Sequence, residues 1–168
     1  MKKYFVVLAV LYTISTGALQ AQALQMNKGS NLFSAGLGLV EGWGFNASFD
    51  HGLVDTWGPG LFTIGGFAGF QSWNRNIILL GKYSVNNYAF AVRCTYRYYI
   101  NHSFEVYGAA MTGLKTVSYS ENWGGTDKVR PFQAVIGGCR YSFAPNISVF
   151  GEVGGSLSFL NGGLSFTF

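Results

Sequence analysis

The chain's last nine residues, Leu-Asn-Gly-Gly-Leu-Ser-Phe-Thr-Phe, alternate apolar and polar side chains up to a final phenylalanine. In an extended strand successive side chains point to opposite faces, so Leu160, Leu164, Phe166 and Phe168 share one face. Asn161, Gly163, Ser165 and Thr167 share the other. A soluble domain gains little from such an ending, because termini fray and the apolar face would be left in water. A strand crossing a bilayer has the opposite need, with the apolar face against lipid and the polar face toward a lumen. Alternating segments of this kind can be laid out along the rest of the chain, yet after residue 23 no stretch approaches the roughly 18 consecutive apolar residues of a membrane helix. An apolar chain without a spanning helix can satisfy its backbone hydrogen bonds in lipid only as a closed barrel.

Composition agrees. Charged residues make up 11% of the chain, against roughly 25% in soluble domains, too few to cover a water-exposed surface. At the other end, Lys2 and Lys3 precede an apolar stretch over residues 4–14, and Ala21-Gln22-Ala23 fits the small-residue cleavage pattern of a secretory signal peptide. We place the cut after Ala23, giving a signal peptide at 1–23 and a single barrel domain at 24–168, with residues 24–30 as a short periplasmic lead-in. The apolar core of the leader is too short to span a bilayer. Losing Lys2 and Lys3 takes the net charge from +4 to +2, which leaves no basic footprint for nucleic acid.

Eight strands are expected, at about 31–40, 44–53, 60–73, 88–100, 103–119, 130–143, 147–156 and 160–168. Ile100-Asn101-His102 and Ala144-Pro145-Asn146 read as tight turns. Strands three and four are separated by about fourteen residues and strands five and six by about ten, whereas the connections near 41–43 and 157–159 are short. Long connections therefore fall on one side, the asymmetry of short periplasmic turns and longer outer loops. Trp43, Trp73 and Tyr88 toward the outer ends, with Tyr96, Tyr98, Tyr141 and Phe143 toward the inner ends, would form two interfacial girdles.

The segments 88–97, 104–114, 133–143 and 149–168, with Gly-Glu-Val-Gly at 151–154, resemble the small OmpX/OmpA-type outer-membrane β-barrels of gram-negative bacteria. The ending, with Leu164, Phe166 and Phe168, resembles the C-terminal strand signal by which such barrels are recognised for assembly. The resemblance implies an all-β, eight-stranded, antiparallel up-and-down transmembrane barrel in the outer membrane. Outer-membrane lipid and the barrel assembly machinery would be its partners, and a monomer its state. The segment 76–85, with an apolar run at 77–80, is longer than the usual loop of such proteins and leaves room for a specific extracellular partner.

Strand parity supplies the candidate lumen. In strand four, Tyr88, Phe90, Val92, Cys94, Tyr96 and Tyr98 share the outer face, which sends Arg93 and Arg97 inward. The same parity turns Asp50, Glu105, Arg140 and Glu152 inward, so three cations meet three anions, with Arg97 opposite Glu105 and Arg140 opposite Glu152 as cross-strand pairs. An eight-stranded barrel has an interior just wide enough to be filled by side chains, and buried charges must be paired. The six read as a polar core without an open pore.

Cys94 and Cys139 face outward with strand five between them, roughly 9 to 10 Å apart by strand spacing. A disulfide tolerates about 7 Å between α-carbons, so both are expected as free thiols. His51 and His102 fall at predicted periplasmic turns, away from each other and from any serine set among acids, which speaks against a Ser-His-Asp hydrolase and against a metal site. Gly65-Gly66 and Gly137-Gly138 sit inside strands and read as relief of curvature and lumen crowding. No cofactor is expected.

The leading functional reading is a non-enzymatic scaffold, structural or surface-interacting, that displays its larger loops. Arg75 and Lys82 in one loop and Glu121, Trp123, Asp127 and Lys128 in the other are the candidate contacts. A narrow conduit or binder for a small apolar molecule, of the OmpW kind, is the alternative, and a lipid-modifying barrel enzyme the third.

Overall fold

The computed structural model describes residues 25–38, 40, 42–56, 58–77, 81–119 and 127–168, with the side chains of 74–83 outside that description. The leader at 1–23 therefore lies outside it, as do Glu121 and Trp123.

The strands are β1 (Asn31–Gly38), β2 (Trp43–Asp55), β3 (Gly60–Ile77), β4 (Gly81–Tyr99), β5 (Phe104–Tyr119), β6 (Lys128–Ser142), β7 (Ile147–Gly154) and β8 (Leu160–Thr167). Each pairs antiparallel with its sequence neighbour, and β8 returns to β1 to close the barrel. The C-terminal alternation forms that seam. Leu164 and Phe166 lie beside Ala35 and Phe33, and Phe168 exchanges backbone hydrogen bonds with Asn31 at 2.7 and 2.9 Å. Closure leaves no unpaired strand edge within the wall, which is what a bilayer demands.

Alternation decides which face each residue takes. On β4 the outward side chains Phe90 and Val92 are 67% and 54% exposed, whereas Arg93 and Arg97 beside them are buried. An apolar exterior around a charged interior inverts a soluble protein and suits a lipid-facing wall. Aromatic rings gather at two levels of that wall. Phe70 contacts Trp43, Phe45 and Tyr88 at ring-centroid distances of 5.4, 5.4 and 5.0 Å on the outer half, and Phe62 contacts Tyr96 at 4.9 Å near the inner end. Trp73 departs from the expected girdle. It is half-buried and shares the register of Gln71 and Val85, on the lumen side of the wall.

The turns follow the chemistry of their residues. At the β4–β5 connection the Asn101 side-chain oxygen accepts from the Ser103 and Phe104 amides at 2.9 and 2.8 Å, an Asx turn. The β2–β3 pairing carries a register shift between Gly52 and Val54, so β2 runs on to Asp55. His51 consequently sits within a strand instead of at a turn, with Nδ1 2.8 Å from the Asn31 side-chain oxygen.

The largest departure from the sequence reading is the segment between strands three and four. Most of the expected fourteen-residue loop is strand: β3 and β4 stay paired out to Ile77 and Gly81, and only residues 78–80 connect them. Arg75 and Lys82 stand on this ribbon, opposite Tyr83 and Asn76 in register, and not in a loop. A strand of 18 residues, rising roughly 3.3 Å per residue at a tilt near 40°, climbs about 45 Å, well beyond an apolar band about 25 Å tall. The 8-residue strands β1, β7 and β8 do not. One side of the barrel therefore stands higher than the other.

Candidate functional site

The lumen is filled in three layers. At the inner end the lead-in segment folds back under the barrel. Met26 is buried against Leu32 and Leu61 with Tyr99 beside them. The Tyr99 hydroxyl donates to the Met26 carbonyl at 2.8 Å, and the Gln25 side-chain amide donates to the Asn101 carbonyl at 3.2 Å. The lead-in is thus a cap, a role that the two apolar residues Leu24 and Met26 among polar ones do not by themselves predict.

Above the cap lies the ionic layer. All six charged residues assigned inward by parity are buried here. Arg97, 1% exposed, bridges Glu105 through Nη1 and Asp50 through Nη2, each at 2.6 Å. Arg140 reaches the other Glu105 oxygen at 2.7 Å, and Arg93 reaches Glu152 at 2.7 Å with Asp50 3.8 Å away. The expected Arg140–Glu152 pair is not formed. In register Glu152 lies beside Gly138 and Arg140 beside Phe150, so the two are offset along the sheet, and each takes the carboxylate or guanidinium its height provides. Glu105 thereby serves two arginines. Planar guanidinium groups with several donors suit such sharing, and charge-assisted bonds of this length are strong ones.

Tyr107 completes the layer and was missed in the sequence. Its hydroxyl donates to Glu152 at 3.0 Å while its ring lies 5.0 Å from the Arg97 guanidinium carbon and 5.8 Å from that of Arg93, a cation–π arrangement. The signal was present: Tyr107 stands two residues from Glu105 and so faces the same way. Gly138 makes the room. A β-carbon there would fall 2.6 Å from the Tyr107 ring, so the glycine relieves lumen crowding.

The outer half of the lumen holds an apolar cluster, which the expectation of a polar core does not include, alongside the buried polar side chains of Gln71, Asn87, Ser158 and Asn161. Phe67, Ala89, Ala109, Met111, Phe132, Ala134 and Ile136 form one buried cluster, and Leu157 from the short β7–β8 connection packs down onto it. Phe67 and Phe132 stack with centroids 6.2 Å apart. An apolar septum therefore lies over the ion pairs. The three inward cations and three inward anions balance, so the layer carries no net charge for a permeant ion to exploit.

Other sequence candidates stay apart. His102 is exposed at the β4–β5 turn, remote in sequence from His51 on β2. Among the described residues no group of three or more His, Cys, Asp or Glu could hold a metal ion. Cys94 and Cys139 are exposed and free. Asp127 is exposed just before β6, and Lys128, expected in the loop, is instead the exposed first residue of that strand.

A closed antiparallel barrel of eight strands, apolar outside and filled with paired charge inside, has the architecture of the small OmpX/OmpA-type outer-membrane barrels. The N-terminal β-barrel domain of Pseudomonas aeruginosa OprF is similar over 85% of this chain and 100% of its own, at 12% identity and a TM-score of 0.52. Ail, the attachment invasion locus protein of Yersinia pestis, solved in complex with the heparin analogue sucrose octasulfate, is similar over 84% of this chain and 99% of its own, at 14% identity and a TM-score of 0.51. No family model and no curated protein matches the chain. At these identities the likeness is one of fold.

Proposed function

We propose that the protein is a non-enzymatic outer-membrane scaffold: a closed barrel, exported by a cleaved leader and held as a monomer in the lipid, that presents its tall side to the exterior. The observation that carries this reading is the filled lumen. Cap, ionic layer and apolar cluster stand in series along the lumen, which supports an anchor in preference to a channel. Leu164, Phe166 and Phe168 on the closing strand would be the surface read by the assembly machinery, since all three face outward beside the seam.

The displayed element is the β3–β4 ribbon. Among the described residues the β2–β3 pairing ends at Trp43 opposite Ser72, whereas β3 and β4 stay paired out to Ile77 and Gly81. An exposed sheet edge can accept an extended peptide as an added strand. That Ail was solved with a heparin analogue is in keeping with a ligand on the outer face.

Conductance in planar bilayers tests the closed lumen. Reconstituted protein should give no discrete steps above the lipid background, and regular single-channel steps would return the reading to a conduit. Replacing residues 74–83 by a two-residue turn tests the display: whole cells carrying that variant should lose adhesion to the surfaces the wild type binds, with the barrel's heat-dependent shift in gel migration unchanged.

A further inference from the structure

Lys115 on β5 lies directly opposite Arg130 on β6 in register, and Lys128 stands two residues before Arg130. Parity fixes the face they share. Met111 and Val117 on β5 and Phe132, Ala134 and Ile136 on β6 have the same register as these cations and are buried toward the lumen. The neighbours of opposite parity, Leu114 and Val129, are 59% and 64% exposed on the lipid-facing side. The three cations therefore line the outer mouth, just above the septum, and point away from the surrounding leaflet.

Their spacing is close. Directly opposed residues have β-carbons roughly 4.5–5.5 Å apart, and two residues along a strand add roughly 6.5 Å. Like charges facing each other across a strand pair destabilise a sheet unless an anion lies between them. Among the described residues, none of the three takes part in an ion pair, whereas every inward charge below the septum does. The β7–β8 connection, residues 155–159, is Gly-Ser-Leu-Ser-Phe and carries no carboxylate; among the described residues Asp127, exposed beside Lys128, is the carboxylate next to the three cations in sequence, and it forms no ion pair with them.

We infer that the outer mouth is a polyanion-binding site in which Lys115, Lys128 and Arg130 hold sulfate or phosphate groups of a soluble glycan chain. The inference rests on the scaffold reading and gives its outer face a ligand class. Direction decides the source: a lipid headgroup of the same leaflet would meet the outward residues, which are apolar here, so the occupant enters from the aqueous exterior. A linear polyanion matches cations set several Å apart along a wall better than a single small ion does. Arg130 can take two oxygens of one group at once, and the lysines act as point charges beside it.

The test is titration of the full-length mature protein in nanodiscs with dextran sulfate, followed by calorimetry at low and physiological salt. Uncharged dextran and vesicles containing lipid A serve as comparison arms. Dextran sulfate should bind, weakening as salt rises, and uncharged dextran should not. The double variant Lys115→Gln with Arg130→Gln should lose at least about ten-fold in affinity, equivalent to about 1.4 kcal/mol. Lys28→Gln, at the inner end, should lose nothing. Because the change removes a facing pair of like charges, the double variant should fold and melt at or above the wild-type temperature in low salt, so weakened binding cannot be put down to misfolding. Equal binding by the double variant, equal binding of uncharged dextran, or binding of lipid A vesicles but not of dextran sulfate would each overturn the site. The absence of conductance steps is measured separately, so the scaffold reading can stand if this site falls.

Discussion

Arg97 and Arg140 are both buried arginines in one lumen, yet they should respond differently to removal. Arg97 holds two carboxylates, those of Asp50 and Glu105, under the ring of Tyr107, whereas Arg140 holds only one oxygen of Glu105. Its Nε and Nη1 make no hydrogen bond. Taking one partner from a buried charge network costs roughly 3–5 kcal/mol when it leaves a charge uncompensated. Arg97→Met should fall in that range. Arg140→Met should cost less, about 1.5–3 kcal/mol, because Glu105 keeps Arg97. Glu105→Gln should be as severe as Arg97→Met, since it strands Arg140. Combining Arg140→Met with Glu105→Gln leaves the Arg97–Asp50 and Arg93–Glu152 pairs balanced and should recover part of the loss. Urea unfolding in lipid vesicles reads all four. If Arg140→Met proved as costly as Arg97→Met, the sharing of Glu105 seen here would be wrong. Arg93, Arg97, Asp50, Glu105, Arg140 and Glu152 could be assigned inward from a period of two. Who pairs with whom could not, because the stagger between neighbouring strands decides which heads meet, and one sequence does not carry that stagger.

At the scale of elements, the thiols test the register. Cys94 lies beside Ala110 of β5 and Cys139 beside Val106, so besides the intervening strand the two are offset by four residues, roughly 13 Å along it. That separation adds to the strand spacing already too wide for a bridge. Mass spectrometry should find two free thiols, and a lipid-soluble maleimide should modify both in the folded protein; an intramolecular disulfide would mean the wall is mispaired. The strands of the wall were legible because lipid on one side and a packed lumen on the other enforce alternation. The β3–β4 ribbon was not. Above the membrane neither face need be apolar, so Ser, Asn and Lys at 72–87 read as loop while the backbone ladder continues. The ribbon should accordingly be dispensable for assembly. With residues 74–83 replaced by a two-residue turn, the barrel should keep its heat-dependent gel shift and lose no more than about 1 kcal/mol, since surface changes away from packed features cost little.

Across the whole molecule, the order of the layers has a consequence for permeation. Met26 and its neighbours close the inner end, paired charges fill the middle, and Phe67 stacked on Phe132 closes the outer half. These barriers lie in series, so opening one leaves the others in place. Phe67→Ala with Phe132→Ala should make a cavity above the ion pairs and destabilise the barrel, each buried Phe→Ala costing about 3–5 kcal/mol, without giving conductance. Removing the cap through Met26→Ser should likewise leave the bilayer current at background, while speeding hydrogen exchange at the inner ends of β1 and β3, where Leu32 and Leu61 would meet water. Only the triple variant, with the septum thinned and the cap removed, should admit water from both sides. Even then the ionic layer should keep the current small, because a guanidinium held by two carboxylates leaves little room for a passing ion. Discrete conductance steps from either partial variant would show that the remaining layer does not seal, and the lumen would then have to be read as a gated path instead of a filled core.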